Sequence, residues 1–327
     1  IAVFRSILAG CKHSVALTKV YLRSTIDEVD QEYPDANTEL FVDDTVMSAT
    51  KNTICDTINA IVPAILLFAK RVKIKLKLSL SPKAVITTSD PRMTKFLANE
   101  FKGHGLTFQT AKSARDLGIS YTAGTLRPKT QLLTRLRKKH RIKRISNLAK
   151  TSRKARKLYN GSAFSASTWG HQAAAISELQ IIQLEREALA CTGIKPSGRC
   201  RAIALLVAFG LNATPRARII RETIRDYLNI IAHTSSVSVT SSTRCAWIAA
   251  LKKVRENNNS TKYVTGIMSN VILILLKAGW SPNAFNCWSD PAGTVWTLTN
   301  NSVSPDIVSS EIIKSYFALD LVRADNH

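Results

Sequence analysis

TELFVDDTVM, residues 38–47, places two adjacent carboxylates, Asp43 and Asp44, between two apolar runs. Residues 40–42 favour a buried strand and residues 45–47 start another, because β-branched and aromatic residues are enriched in strands. The acid pair is therefore predicted to fall at a tight hairpin turn. Two interpretations are open at this point: a solvated turn, or a hairpin that presents carboxylates to a metal ion.

The charge of the chain predicts a polyanionic partner. Of 327 residues, 46 are Lys or Arg and 23 are Asp or Glu, which gives a formal net charge of +23. Such an excess favours nucleic acid; an anionic membrane is the rival, but it is normally bound by one short basic segment. The longest apolar stretch, residues 271–276, is too short to span a bilayer. We therefore expect an intracellular protein of the cytoplasm and nucleus without a membrane partner.

The first 125 residues alternate between strand and helix patterns. Apolar residues at helical spacing run from Ile54 to Val72, with Pro63 inside the stripe. Residues 83–87 have the pattern of a strand, and a short helix at 92–102 precedes a strand pair within 106–122. This alternation is typical of an α/β layer with helices against one face of a sheet.

The character of the chain changes after Gly124. No Asp or Glu occurs from Leu117 to Ser177, whereas Lys and Arg crowd residues 127–157. Apolar residues keep helix-compatible spacing inside this run, which predicts a helix or helix pair with a cationic face. The expected nucleic-acid contacts are Arg135, Arg137, Lys138, Lys139, Arg141, Lys143 and Arg144. The alternative is a solvated charged face.

The rest of the chain reads as mostly helical. Helices are expected at 178–191 and at 215–232, the latter opening on Thr214 followed by a proline. The Ser- and Thr-rich residues 234–243 have the composition of a linker. The predicted fold class is α+β, with domains at 1–125, 126–233 and 244–327, the last a helical extension of unknown role.

Two isolated features carry little weight. Trp169 and His171 flank a glycine, and such a Trp-Gly-His sequence is more often a packed turn than a catalytic site. Asp290, in the sequence WSDPAGTVW, hints at the first strand of a ribonuclease-H-like domain. The further spaced carboxylates that such a domain needs are not visible, so a helical connector is the better interpretation.

Several segments resemble, in order, the motifs of reverse transcriptases from non-LTR retrotransposons. ELFVDDTVM (39–47) resembles the [FY]-x-D-D hairpin of that family. ILAGCKHSVALTKVYL (7–22) is similar to the loop and helix before the hairpin, with Gly10 matching and Leu8-Ala9 replacing the family's Pro-Gln pair.

The segments after the hairpin continue the resemblance. LKLSLSPKAVI resembles the segment that carries the family's lysine, which falls on Lys83. ARDLGISYTAG resembles the leucine-glycine hairpin that grips the primer end, matched by Leu117 and Gly118. STWGHQA (167–173) is similar to a thumb segment. The resemblance thus implies part of a polymerase palm followed by a basic helical thumb.

This resemblance implies an RNA-directed DNA polymerase whose partners are an RNA template, a DNA primer and deoxynucleoside triphosphates. Asp43 and Asp44 would bind Mg²⁺ in a two-metal site, and Lys83 would neutralise or protonate the leaving pyrophosphate. Gly10, Phe41, Leu117 and Gly118 would contact substrates. The family's first catalytic Asp lies upstream of the glycine loop, where this sequence begins, so we expect an incomplete palm that is inactive alone.

Two other hypotheses remain open from the sequence. The first is a non-enzymatic nucleic-acid-binding protein, a degenerate polymerase remnant whose binding is indifferent to Asp43 and Asp44. A basic membrane-surface protein that binds through residues 127–157 is the third hypothesis. The spread of apolar residues into core-like stripes argues against the membrane alternative.

Overall fold

The computed structural model describes residues 13–41, 44–116, 119–122, 139–194, 200–233, 237–298 and 303–325. The chain divides into two units, Ile1–Gly124 and Thr125–His327. The first combines helices with short strands and the second is mostly helical, so the fold is of the α+β kind. None of the helices in these ranges is long and apolar enough to cross a membrane.

The first unit contains three helices and three pairs of strands among its described residues. Its elements are α1 (Ser14–Glu32), β1 (Asn37–Phe41), β2 (Asp44–Ser48), α2 (Ile54–Ile74), β3 (Val85–Ile86), α3 (Pro91–Gly103), β4 (Gln109–Thr110), β5 (Ala114–Asp116) and β6 (Ile119–Tyr121). Strands β1–β2 and β5–β6 pair antiparallel, and β3–β4 pair parallel.

The expectation of one layered sheet is wrong for the described strands, which form three separate pairs. The predicted strand at 83–87 shortens to two residues because turns occupy its flanks. Ser81 accepts hydrogen bonds from the backbone of Lys83 (3.2 Å) and Ala84 (3.0 Å). On the other side, Asp90 caps the N-terminus of α3.

A single apolar cluster holds the first unit together. Buried side chains come from α1 (Leu22, Ile26, Val29), α2 (Ile61, Phe68, Val72) and α3 (Leu97, Phe101). Leu40 and Met47 of the β1–β2 hairpin pack against this cluster. Burial of each large apolar side chain stabilises the fold by about 1.5–3 kcal/mol. The hairpin is therefore anchored through one face only.

The second unit is built from seven long helices, one composite helix and a small sheet among its described residues. They are α4 (Lys139–Ala149), the composite helix at 153–168 with a π-helical turn at Tyr159–Phe164, α5 (Glu178–Ala190), α6 (Arg201–Phe209), α7 (Pro215–Ala232), α8 (Val237–Glu256), α9 (Ile267–Lys277), β7 (Ser281–Ala284), β8 (Cys287–Ser289), β9 (Val295–Thr297) and α10 (Pro305–Asp325). The strands form one antiparallel sheet in the order β7-β8-β9.

Helix α7 has the expected bounds, and α5 begins as expected and ends one residue before the predicted end. Helix α5 begins after Ser177, whose side chain and that of Gln180 form a capping box. Helix α7 begins with Pro215 after Thr214, which accepts a hydrogen bond from the backbone N–H of Ala217 (3.3 Å). The start of α7 was predicted from its cap, Thr214 followed by a proline.

The predicted linker at 234–243 is wrong for residues 237–243, which form the start of α8. Ser and Thr tolerate a helix when their hydroxyl groups bond to the preceding turn; Thr243 donates to the carbonyl of Val239 (2.7 Å). Trp247, which is buried, then anchors α8 to the core. The anchor lies beyond the polar stretch, so composition alone gave no sign of it.

The second unit has two apolar clusters that meet along α7. One cluster unites α7, α8, α9, the sheet and α10 around Tyr227, Trp247 and Trp288. The other joins α4, the composite helix, α5 and α6. Helix α7 contributes Ile219 to the second cluster and Ile220 to the first. The predicted extension after residue 243 therefore shares a core with the preceding helices.

The segment after the composite helix is bound to α9 by buried hydrogen bonds. The side chain of Asn270 donates to the carbonyl groups of His171 (2.8 Å) and Gln172 (3.0 Å). The backbone N–H of Gly266 donates to Ala173 (2.7 Å). Asn270 is buried, so these bonds fix the segment where it passes from one cluster to the other.

We predict that Asn270→Ala lowers the free energy of unfolding by about 2–3 kcal/mol, because two buried carbonyl groups lose their donor. Asn270→Asp is expected to cost more, since it places acceptor against acceptor. Urea unfolding measures both, with exposed Asn147→Ala on α4 as the control. Equal, small effects for all three variants would show that the bonds do not hold the segment.

Candidate functional site

The β1–β2 hairpin presents its outer face to solvent. Exposure alternates along both strands, as expected where one face packs on a core and the other does not. Phe41, 56% exposed, lies opposite Asp44 in the last register pair before the connection. Asp44 is exposed and forms no ion pair with a described residue. It is the first residue of β2 rather than part of the turn.

The period of two fixes which way Asp44 faces. Leu40 and Met47 are the inward residues that pack on the core. A slip of one residue would exchange the two faces and bury Asp44, so the apolar pattern fixes the register. Val42 and Asp43, which separate the strands in sequence, lie outside the described residues. The two strands pair only with each other within the described part of the chain.

Of the other site residues predicted from the sequence, only some lie among the described residues. Lys83 is exposed in the turn before β3, which pairs with β4 and not with the hairpin. Gly10 lies outside the described residues. So do Leu117 and Gly118, although the residues on either side of them, Asp116 and Ile119, pair in register. The described structure thus does not bring Lys83 and Asp44 together in one sheet.

Helix α4 carries part of the predicted cationic face. Arg141, Lys143 and Arg144 are exposed and form no ion pair with a described residue, whereas Ile145 is buried in the core. Arg135, Arg137 and Lys138 lie outside the described residues, and only the backbone of Lys139 is described, as the first residue of α4. The helix is therefore amphipathic, with apolar and cationic sides.

The cationic surface continues beyond the residues selected from the sequence. Lys150, Arg153, Lys154 and Lys157 are exposed on the turn after α4 and on the composite helix. They belong to the same acid-free run that ends at Ser177. The extent of that run was the signal that could have identified them, because a run without acids leaves its cations without local partners.

Two carboxylates that follow this run, Glu178 and Glu185, are paired with arginines. Arg216, which is buried, donates from Nε to Glu185 (3.1 Å) and from Nη1 to Glu178 (3.0 Å) and to the hydroxyl of Tyr316 (2.8 Å). Arg201 binds the other oxygen of Glu185 (3.2 Å). Burial alone would raise the pKa of Glu178, but hydrogen bonds and charge from Arg216 outweigh it and lower that pKa. This cluster is structural, and its acids do not offset the cationic surface.

His171 is a packed residue of the second unit. Its Nδ1 lies 2.7 Å from the carbonyl oxygen of Thr168, and its Nε2 lies 3.8 Å from Glu222, which also binds Arg218. Gly170, beside it, adopts a φ of 74° that favours glycine. Burial lowers the pKa of His171, and the nearby carboxylate of Glu222 offsets only part of that shift. A buried neutral imidazole in a turn does not reach a substrate.

Asp290 organises its own hairpin. One carboxylate oxygen accepts from the backbone of Ala292 (2.9 Å) and Thr294 (2.8 Å), and the other accepts from the indole of Trp296 (3.2 Å). Partial burial would raise its pKa, but these hydrogen bonds lower it. Both oxygens are occupied by the β8–β9 turn, so Asp290 is a turn residue.

A magnesium site at the hairpin would draw on Asp44 and on groups outside the described ranges. Within those ranges, no three His, Cys, Asp or Glu side chains could hold a metal ion together. Mg²⁺ commonly binds through one or two carboxylates and completes its shell with water and substrate phosphates. An exposed carboxylate without a cationic partner has the chemistry of one such ligand.

Comparisons of the chain with models of protein families, with curated proteins and with solved structures find no match. A function for this chain therefore has to be inferred from the hairpin, from the cationic helices and from the motifs that resemble those of reverse transcriptases.

We predict that stability falls as the pH drops below the ordinary histidine pKa of 6.5. The unfolded chain binds a proton there, whereas buried His171 stays neutral until the pH reaches its lower folded pKa. His171→Asn retains a donor near the Nδ1 position and should remove this part of the pH dependence in urea unfolding. His140→Asn, at an exposed position of α4, is the control. A wild type that gains stability over His171→Asn on acidification would contradict the prediction.

Proposed function

We propose that this chain is an RNA-directed DNA polymerase of the non-LTR retrotransposon type. The observation that carries the proposal is the hairpin that exposes Asp44 opposite Phe41, with Asp43 directly before it in sequence. In this proposal the first unit supplies part of the palm. The cationic helices of the second unit act as a thumb that binds the template and primer in the cytoplasm and nucleus.

Each residue of the hairpin has a distinct role in the proposal. Asp43 and Asp44 supply oxygen ligands, and bound Mg²⁺ would activate the primer 3′-hydroxyl and stabilise the leaving pyrophosphate. The exposed ring of Phe41 offers an apolar surface beneath the primer end or the incoming deoxynucleoside triphosphate. Lys83 provides a cation for the pyrophosphate. The polymerase fold of the resemblance needs a further carboxylate beside these two.

Binding of nucleic acid is proposed for the exposed cations of α4 and the composite helix. Neutralisation of phosphates by Lys and Arg releases counterions and gives affinity that is independent of sequence. Such affinity suits a polymerase, which must hold any template. The supporting observations are that Arg141, Lys143 and Arg144 are exposed and that the nearest following acids in sequence, Glu178 and Glu185, bind Arg216.

A second candidate is a nucleic-acid-binding protein without catalysis. The same exposed cations favour it, because they need no metal site in order to bind phosphates. The two candidates differ in the role of the carboxylates. Catalysis requires Asp43 and Asp44, whereas binding alone does not depend on them.

The decisive experiment is primer extension on an RNA template with Mg²⁺, using the full-length protein. We expect extension by the wild type, and none by Asp43→Asn or Asp44→Asn, because an amide is a poor ligand for Mg²⁺. Asp30→Asn, an exposed carboxylate of α1, is the matched control and should extend normally.

The outcomes separate the two candidates. Extension that survives both hairpin substitutions would rule out the proposed metal site. Absence of extension by a folded wild type that binds RNA would favour the non-enzymatic candidate. Because Asp44 is exposed, its substitution should leave the unfolding midpoint unchanged, which urea unfolding of each variant verifies.

We predict that replacing Arg141, Lys143 and Arg144 with alanine reduces the salt dependence of RNA binding. The slope of log affinity against log salt should fall by about 2 on single strands, since each phosphate contact contributes about 0.7. Fluorescence anisotropy of a labelled RNA measures it. The control replaces Arg244, Lys252 and Lys262, which removes the same charge from other exposed positions of the second unit. An equal change in both variants would show that net charge alone governs binding.

A further inference from the structure

Helix α2 has three sides with different partners. Ile61, Phe68 and Val72 lie in the core of the first unit. Arg71 and Lys75 both pair with Glu28 of α1. The third side is exposed, and its cations have no such partner among the described residues. The cations in the last turn of α2 and just after it therefore fall into two sets, one paired with Glu28 and one unpaired among the described residues.

The unpaired set is Lys70, Lys73 and Lys77. All three are exposed, and their side chains form no hydrogen bond or ion pair with a described residue. Lys70, Lys73 and Ile74 follow the i, i+3, i+4 spacing that places residues on one side of a helix. The backbone N–H of Leu78 donates to the carbonyl of Val72 (3.0 Å). That bond brings the backbone of Lys77 beside the peptide that joins Val72 to Lys73.

Lys77 occupies a backbone conformation that a lysine rarely adopts. Its φ is 53°, in the left-handed region where helices commonly end on glycine. A side chain at such a position costs stability that glycine would not lose. Non-glycine residues held in this region are concentrated at functional sites. A charged lysine therefore occupies a position where the backbone conformation favours glycine.

We infer that Lys70, Lys73 and Lys77 form a second nucleic-acid-binding surface, on the first unit, which contacts the phosphate backbone. The inference rests on the nucleic-acid binding of the proposed function, and it assigns contacts that neither the hairpin nor the cationic helices supply. The partner is a single or paired nucleic-acid strand, because three neighbouring exposed cations complement the closely spaced negative charges of a phosphate backbone.

An anionic membrane is the less suitable partner for this surface. Membrane-surface helices bury a broad apolar face in the headgroup region. The broad apolar side of α2 is already buried in the core, and the exposed apolar side chains near the three lysines are Ile74 and Leu78. Two apolar side chains are fewer than the broad apolar face that insertion into a membrane surface requires.

The sharpest test is Lys77→Gly in the full chain. Because glycine adopts positive φ without strain, the variant should raise the unfolding midpoint by about 2–5 °C. It should at the same time weaken binding to a labelled single-stranded RNA about fivefold at 0.1 M salt, the loss expected for one phosphate contact. A lysine that only served the fold could not give this pair of opposite changes.

A double variant tests the other two members. Lys70→Ala combined with Lys73→Ala should lower the slope of log affinity against log salt by about 1.4. The matched control is Lys95→Ala combined with Lys102→Ala, which removes two exposed lysines from α3 and should leave the slope nearly unchanged. Equal slopes for the two double variants would overturn the inference. So would RNA affinity unchanged by Lys77→Gly.

The outcomes also separate this inference from the proposed function. A wild type that extends no primer, yet binds RNA and loses affinity in the lysine variants, would refute the polymerase and support this surface. A wild type that extends primers and binds RNA equally well without these lysines would do the reverse. Cosedimentation with phosphatidylserine vesicles tests the rival partner: binding that depends on these lysines, with RNA affinity unchanged, would overturn the inference.

Discussion

The second unit depends on the hydrogen bonds and ion pairs of the Arg216 guanidinium group. It lies buried among Glu178, Glu185 and Tyr316, so it joins α5, α7 and α10 at one point. A buried ion pair adds little net stability when complete, but removal of one partner costs about 3–5 kcal/mol. The consequence for the surface is electrostatic. Glu178 and Glu185 are both paired with Arg216, so their charges are already balanced by an arginine.

The first unit depends on a simpler constraint, the alternation of inward and outward residues along one hairpin. Leu40 and Met47 face the core because they are apolar, and the period of two then turns Phe41 and Asp44 outward. Because the apolar residues of the hairpin must face the core, the carboxylate of Asp44 faces solvent. The chemistry of the candidate site follows from packing that involves none of its functional groups.

The sequence predicted those helices and strands that are determined by neighbouring residues, such as strand formers and helix caps. The hairpin followed from strand propensity, and α7 from Thr214 and Pro215. The expected buried strand at residues 40–42 is wrong for Phe41, which is exposed because only alternate residues of β1 face the core. Contacts between distant residues escaped prediction. Residues 237–243 resembled a linker because their anchor, Trp247, packs against Tyr227 of another helix. The hydrogen bond of Asn270 to His171 spans 99 residues. The left-handed conformation of Lys77 was not predicted either, because that conformation is expected at glycine and not at lysine.

The shared core along α7 sets how much of the chain can be removed. A shorter chain that ended near residue 233 would look like a complete thumb by sequence. It would nevertheless uncover Ile220, Ile224 and Tyr227, which are buried against α8, α9 and α10 in the whole chain. Exposed apolar surface of that kind promotes aggregation. Helices α8, α9 and α10 therefore act as a solubilising cover for the apolar side of α7, whatever other task they perform.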